Sequence, residues 1–230
     1  WTGGQVFVLW AFRAWGVSRT MPLTTALQLL LNATLGVSLF GEWRAPGALI
    51  LGMVALALIM LGAAACSWQE RTGPGPTPAQ RRAGLLATAA SAVLYGSYPS
   101  LLRAVEVPPA HAVGPMGLGL LAGAGLCALI LPRRAPLRGP RIVPAALAGG
   151  LWAVGNALML RSTAAVGVAS GFTLSQLGFV LATIGGLTIL GEERTGRERT
   201  AVAAGVAAAV VGLVLMGLAT GMDTGASPSQ

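Results

Sequence analysis

The sequence predicts an all-α, polytopic membrane helix bundle. Three observations carry that prediction: the confinement of charge, the spacing of apolar runs, and a repeat relating the two halves. Of 230 residues, 54% are hydrophobic and 10% charged, and the mean hydropathy is +0.72. Soluble domains carry about 25% charged residues, so the deficit places the chain in lipid. All seven carboxylates (Glu42, Glu70, Glu106, Glu192, Glu193, Glu198 and Asp223) lie between or beyond the apolar runs. A charge at a bilayer centre costs roughly 2.5–3.5 kcal/mol on the translocon scale, which accounts for that exclusion.

A helix needs about 20 apolar residues to span the hydrocarbon core. Eight runs follow in order: A over 1–14, B over 20–40, C over 46–66, D over 83–104, E over 112–131, F over 142–161, G over 167–190 and H over 200–219. Turn residues separate them, at Pro46, Gly73 to Pro78, Pro108–Pro109, Pro132 to Pro140 and Gly191 to Arg199. Residues 1–66 read as the last three spans of a first repeat and 67–82 as a cytoplasmic linker. Residues 83–219 read as a five-span second repeat and 220–230 as a polar tail. Span A has neither a basic n-region nor a cleavage site, so it is no signal peptide. Starting at Trp1 and shorter than a crossing requires, it reads as part of a helix of a longer protein.

Loop arginines give the orientation. The A–B, C–D, E–F and G–H side holds twelve (Arg13, Arg19, Arg71, Arg81, Arg82, Arg133, Arg134, Arg138, Arg141, Arg194, Arg197 and Arg199). The opposite side holds Arg44, Arg103 and Arg161 alone. The first side is therefore expected in the cytoplasm and the C-terminus outside. All fifteen basic residues are Arg, which reads as codon bias in a GC-rich genome. No basic helix face or aromatic–basic interleaving supports a nucleic-acid partner.

The repeat appears when the segment from Trp1 is laid over the segment from Trp152. Gly4 then meets Gly155, Gln5 meets Asn156, and Gly16-Val17 meets Gly167-Val168. After one dropped residue, Gly41-Glu42 meets Gly191-Glu192 and Arg44 meets Arg194. Span A thus pairs with F, B with G and C with H, partners five spans apart. An odd separation inverts the crossing direction, which makes this an inverted-topology repeat, an arrangement common among secondary transporters. Spans D and E lack first-half counterparts, so the repeat implies two further helices, about 70 residues, ahead of Trp1. The expected fold is eight spans of an inverted five-plus-five repeat, ten when intact.

The segments GVSRTMPLTTALQLLLNATLGVSLFGEWR and GVASGFTLSQLGFVLATIGGLTILGEER, with the W-x-x-G-Q and W-x-x-G-N openings of spans A and F, carry a family likeness. They resemble the glucose/ribose uptake branch of the drug/metabolite transporter superfamily, lacking here its first two helices. The resemblance covers nearly the whole chain. It implies a multi-pass carrier of glucose, ribose or a similar monosaccharide in a bacterial plasma membrane, working by alternating access. The alternatives are export of a metabolite or drug on the same fold, and a non-catalytic membrane subunit.

A neutral solute covered in hydroxyls needs amides and hydroxyls for hydrogen bonds and an aromatic face to pack against. Span B carries Thr24, Gln28 and Asn32 at spacing four, one polar stripe on one helical face. It reads as cavity lining or as interhelical glue. Trp1 and Gln5, and likewise Trp152 and Asn156, share a face in the two halves, as a sugar-stacking pair or as interfacial belt. Ser175 and Gln176 follow Gly171 in span G, and Pro22 sits at the matching level of span B. Pro22 and Gly171 are candidate hinges that free backbone groups to line a cavity, or ordinary helix starts. Tyr95 and Tyr98 reach the same cavity or sit at the belt.

Other features point to structure. Gly41 and Gly191 read as helix C-caps, and the Glu192–Arg199 charges as a solvated loop network. Gly119, Gly123, Gly217 and Gly221 read as close-packing positions. Cys66, Cys127 and the lone His111 offer no disulfide pattern or metal-ligand spacing, and no intramembrane acid set suggests an enzyme. No cofactor is implied. Coupling to a proton or sodium would need a loop carboxylate or the preceding helices, so symport and facilitated diffusion both stay open.

Overall fold

A computed structural model describes residues 1–68, 70, 76–130, 139, 142–176, 178 and 195–225. Among them the regular elements are helices: α1 (Thr2–Trp15), α2 (Val17–Phe40), α3 (Ala48–Ser67), α4 (Pro78–Ala104), α5 (Pro109–Ile130), α6 (Ile142–Val166), α7 (Val168–Ser175) and α8 (Gly196–Gly225). Six of these, α2 to α6 and α8, are long and apolar enough to cross a membrane. Most of expected span G, and with it Gly191, lies outside the described residues.

Two boundaries differ from the sequence reading. The stretch expected as linker through residue 82 is helical from Pro78. Thr77 and Gln80 form a reciprocal capping box with Pro at the first helical position, and a proline there is pre-organised for the helix. The expected polar tail is helical through Gly225. The Thr220 hydroxyl, 2.9 Å from both the Met216 carbonyl and the Ser170 hydroxyl, ties that last turn to α7.

Two glycines fold the chain back on itself. Gly16 (φ 97, ψ 157) separates α1 from α2, and Gly167 (φ 92, ψ 164) separates α6 from α7. Both lie at positive φ, where a Cβ would clash. They sit at opposite ends of the bundle, as α4 demonstrates. Early in α4, Gly84 lies under the Trp15 ring beside the first turn. Late in α4, Arg103 pairs with Glu42, whose carboxylate accepts from Val168 just after the second. About 28 Å of helix, at 1.5 Å per residue, separates the two levels.

The tightest helix pair is α3 with α8. A Cβ at Gly62 would stand 2.6 Å from the Gly205 carbonyl, and one at Gly212 would stand 2.7 Å from Ile59. Lipid offers no hydrophobic drive for helix association, so close backbone approach and dispersion must hold such a pair. This corrects the sequence reading of the small residues. A Cβ at Gly119, Gly217 or Gly221 would meet nothing within 4 Å, and of the four expected packing glycines only Gly123 makes a close contact, with Thr2. The neighbouring core gathers Leu29, Leu56, Ile59, Met216 and Phe172. Leu121, Leu129 and Leu151 stay exposed on α5 and α6, as side chains facing acyl tails would be.

Glu198, expected among solvated loop charges, instead lies in the first turn of α8. Glu198 is 7% exposed. Its carboxylate accepts from the Glu70 backbone N–H at 2.7 Å and from the Thr195 N–H at 3.1 Å. The Glu198 N–H donates in turn to the Thr195 hydroxyl at 3.3 Å, completing a second capping box. Glu192, Glu193 and Arg194 lie outside the described residues.

Candidate functional site

A cavity of about 610 Å³ opens among α1, α2, α4, α6 and α7. Its lining mixes indoles, phenols, amides and hydroxyls with Val8, Phe12, Met21, Met159 and Phe172, and includes no charged side chain among the described residues. Seven of the eight residues expected at a substrate site line it: Gln5, Thr24, Gln28, Trp152, Asn156, Ser175 and Gln176. The lining runs from Asn156, near the middle of α6, and Tyr98, in the last third of α4, to Phe12 and Met21 beside the α1–α2 turn.

Two similar clusters form one wall. Trp1 and Gln5 lie one helical turn apart on α1 and its N-cap, and Trp152 and Asn156 repeat the arrangement on α6. The two indoles meet with ring centroids 4.5 Å apart and planes tilted by 55°. Helix α4 supplies a tyrosine to each cluster. The Tyr95 hydroxyl donates to Gln5 Oε1, and the Tyr98 hydroxyl donates to Asn156 Oδ1. Tyr95 also packs on Trp1 at 4.5 Å. Its place depends on Gly4, since a Cβ there would stand 2.9 Å from the Tyr95 ring. The sequence reading left the tyrosines divided between cavity and belt; both line the cavity. The spacing of three between them on one helix was the available signal.

The facing wall comes from α2 and α7, through Thr24, Thr25, Gln28, Ser175 and Gln176. Thr24 is 4% exposed, and its hydroxyl has no hydrogen-bond partner among the described residues. Such a group costs about 1–3 kcal/mol if left unsatisfied, and the hydroxyl oxygen itself is buried behind the cavity surface.

Asn32, the eighth expected residue, does not reach the cavity. It is fully buried, donating to the Gln28 carbonyl at 2.9 Å and accepting from Ser100 at 3.3 Å. One further turn along α2 carries it past the cavity into the α4 contact, where it acts as glue. Helix α2 continues through residue 22, and Gly171 donates to the Gly167 carbonyl at 2.9 Å within an unbroken turn. Gly171 instead permits close packing, because a Cβ there would stand 2.7 Å from the Thr163 backbone.

At the Gly167 end, beyond the cavity, lies a cluster that sequence reasoning missed. Gly41 ends α2 in the left-handed conformation (φ 64, ψ 35), as expected of a C-cap, and turns Glu42 inward to 8% exposure. The Glu42 carboxylate pairs with Arg103 and accepts from the N–H groups of Val168 and Ala169 at 2.6 and 2.8 Å. It thereby caps the N-terminus of α7, where a negative charge is favoured. The Arg103 guanidinium also lies over the Phe40 ring at 4.5 Å. Next to it, Trp43 is buried at φ 57, a strained conformation for a bulky residue, and its indole N–H donates to Ser170 at 3.1 Å. Glu42 and Arg103 stand 61 residues apart, so no local spacing marks them. The one sequence signal was opposite charge on the arginine-poor side.

A many-spanning helical bundle around a polar and aromatic cavity, lined by no charged side chain among the described residues, defines a membrane protein of the small-solute carrier class. The chain belongs to the sugar transport protein family, whose family model matches residues 1–219. It is similar to a Listeria innocua protein named for sugar uptake, 37% identical over 224 residues, covering 96% of this chain and 76% of the relative. It is also similar to the glucose uptake protein GlcU of Bacillus subtilis, 33% identical over 220 residues, covering 95% and 75%. No solved structure matches it. The chain is a multi-pass protein of the bacterial plasma membrane.

Proposed function

We propose that this chain carries a neutral monosaccharide, such as glucose or ribose, by alternating access through the described cavity. The observation that carries this reading is the cavity's chemistry. Indoles offer a face for sugar C–H groups, Gln5, Gln28, Asn156 and Gln176 offer bifunctional amides, and no charge lines the described walls. A membrane cavity without counter-charges disfavours an ionic solute on desolvation grounds. The names of the relatives, sugar uptake and glucose uptake, support the same substrate class.

Alternating access draws support from the two glycine turns. They share nearly one backbone conformation and lie at opposite ends of the bundle, as an inverted repeat requires. The cavity lining reaches toward one end while the Glu42–Arg103 cluster ties the other. In this reading that cluster closes one entrance, and its release opens it.

Uptake of radiolabelled glucose, ribose and rhamnose into proteoliposomes tests the reading, with glucose 6-phosphate and glucuronate as charged comparators. Saturable uptake of at least one neutral sugar and exclusion of both charged ones is expected; the reverse selectivity would refute it. Dissipating the proton and sodium gradients in turn separates symport from facilitated diffusion. The arginine-rich end is assigned to the cytoplasm. A reporter fused after Gln230 should therefore be active outside, and a cytoplasmic signal would reverse the orientation.

A further inference from the structure

We infer that Tyr95 and Tyr98 are positioning residues that fix two amides, Gln5 and Asn156, as donors toward a ligand. This rests on the substrate reading above and extends it from the amides to the groups that aim them. An Asn or Gln side chain can present either its oxygen or its NH2 group, so an unconstrained amide reads a hydroxyl poorly. Here each amide oxygen is occupied by a phenol donor from α4. The NH2 groups are left for other work. That of Gln5 has no hydrogen-bond partner among the described residues, and that of Asn156 reaches the Met116 sulfur at 3.3 Å, a weak acceptor.

Two donors held in fixed orientation on one wall give a hydroxyl-bearing ring two separate directed contacts, which favour one arrangement of its hydroxyls over another. The tyrosines are themselves held in place. Tyr95 packs against Trp1 in the space left by Gly4. Pro99 and Ser100, the residues after Tyr98, are buried, which fixes that turn of α4.

Tyr95→Phe and Tyr98→Phe test this, because each keeps the ring and its packing while removing the donor. Uptake in proteoliposomes is measured for glucose and for its C4 epimer galactose, with a Tyr98→Phe/Asn156→Ala double variant included. Loss of one net hydrogen bond predicts about a fivefold rise in KM for each phenylalanine variant. The maximal rate stays near the wild type, and discrimination between the epimers falls. In the double variant, Tyr98→Phe adds nothing to Asn156→Ala. Wild-type KM and epimer preference in both phenylalanine variants would overturn the inference alone, as would additive effects in the double variant. A wild type that carries no neutral sugar would overturn the substrate reading, and this inference with it.

Discussion

The cavity wall and the Glu42–Arg103 cluster both place polar side chains inside a helical membrane bundle, yet they use them in opposite ways. At the Gly167 end, charge is present and saturated: the Glu42 carboxylate has an arginine and two backbone N–H partners. In the cavity, charge is absent from the described lining and hydrogen-bonding capacity is left over on the NH2 group of Gln5, whose oxygen alone is engaged. A buried group with its partners in place stabilises the fold. One with spare capacity carries a cost that a ligand can relieve. Burial and polarity alone therefore do not separate a binding residue from glue; the remaining valence does.

The largest expected effect comes from breaking the saturated cluster. Arg103→Ala leaves the buried Glu42 carboxylate with its two N–H partners only. Removing one partner of a buried pair costs about 3–5 kcal/mol, and because Arg103 is partly exposed here the expected loss is nearer 2 kcal/mol. Thermal unfolding in detergent reads this as a lower Tm, and an unchanged Tm would deny the cluster its structural role. A smaller effect is expected of Asn32→Ala, which leaves Ser100 without its acceptor. It should cost about 1 kcal/mol of stability and leave sugar KM unchanged, in contrast with Asn156→Ala. A KM shift for Asn32→Ala would move it back into the site.

Much of this contrast was legible in the sequence, for reasons particular residues make clear. The apolar runs marked the helices, because the bilayer demands length and composition. The matched Trp–Gln and Trp–Asn pairs led to the cavity, because spacing four holds a ring and an amide on one helical face. The same rule misplaced Asn32. Periodicity assigns a face, but it does not say at which turn a neighbouring helix takes over from the cavity. The packing glycines of α3 and α8 were missed because closeness between Gly62 and Gly205 depends on how two distant helices cross. Glu42 was read as a loop charge for a related reason. Its partners Arg103, Val168 and Ala169 come from segments that only the tertiary fold brings together.

In the proposed mechanism the cavity, which has no charged side chain among the described residues, binds a neutral sugar through its unsaturated amides. Equilibrium binding of radiolabelled glucose to the purified protein in lipid nanodiscs tests it most directly, comparing wild type with Asn156→Ala and Asn32→Ala. Saturable wild-type binding is expected, with affinity lowered about tenfold by Asn156→Ala and kept by Asn32→Ala. Wild-type affinity in Asn156→Ala, or equal losses in the two variants, would contradict it.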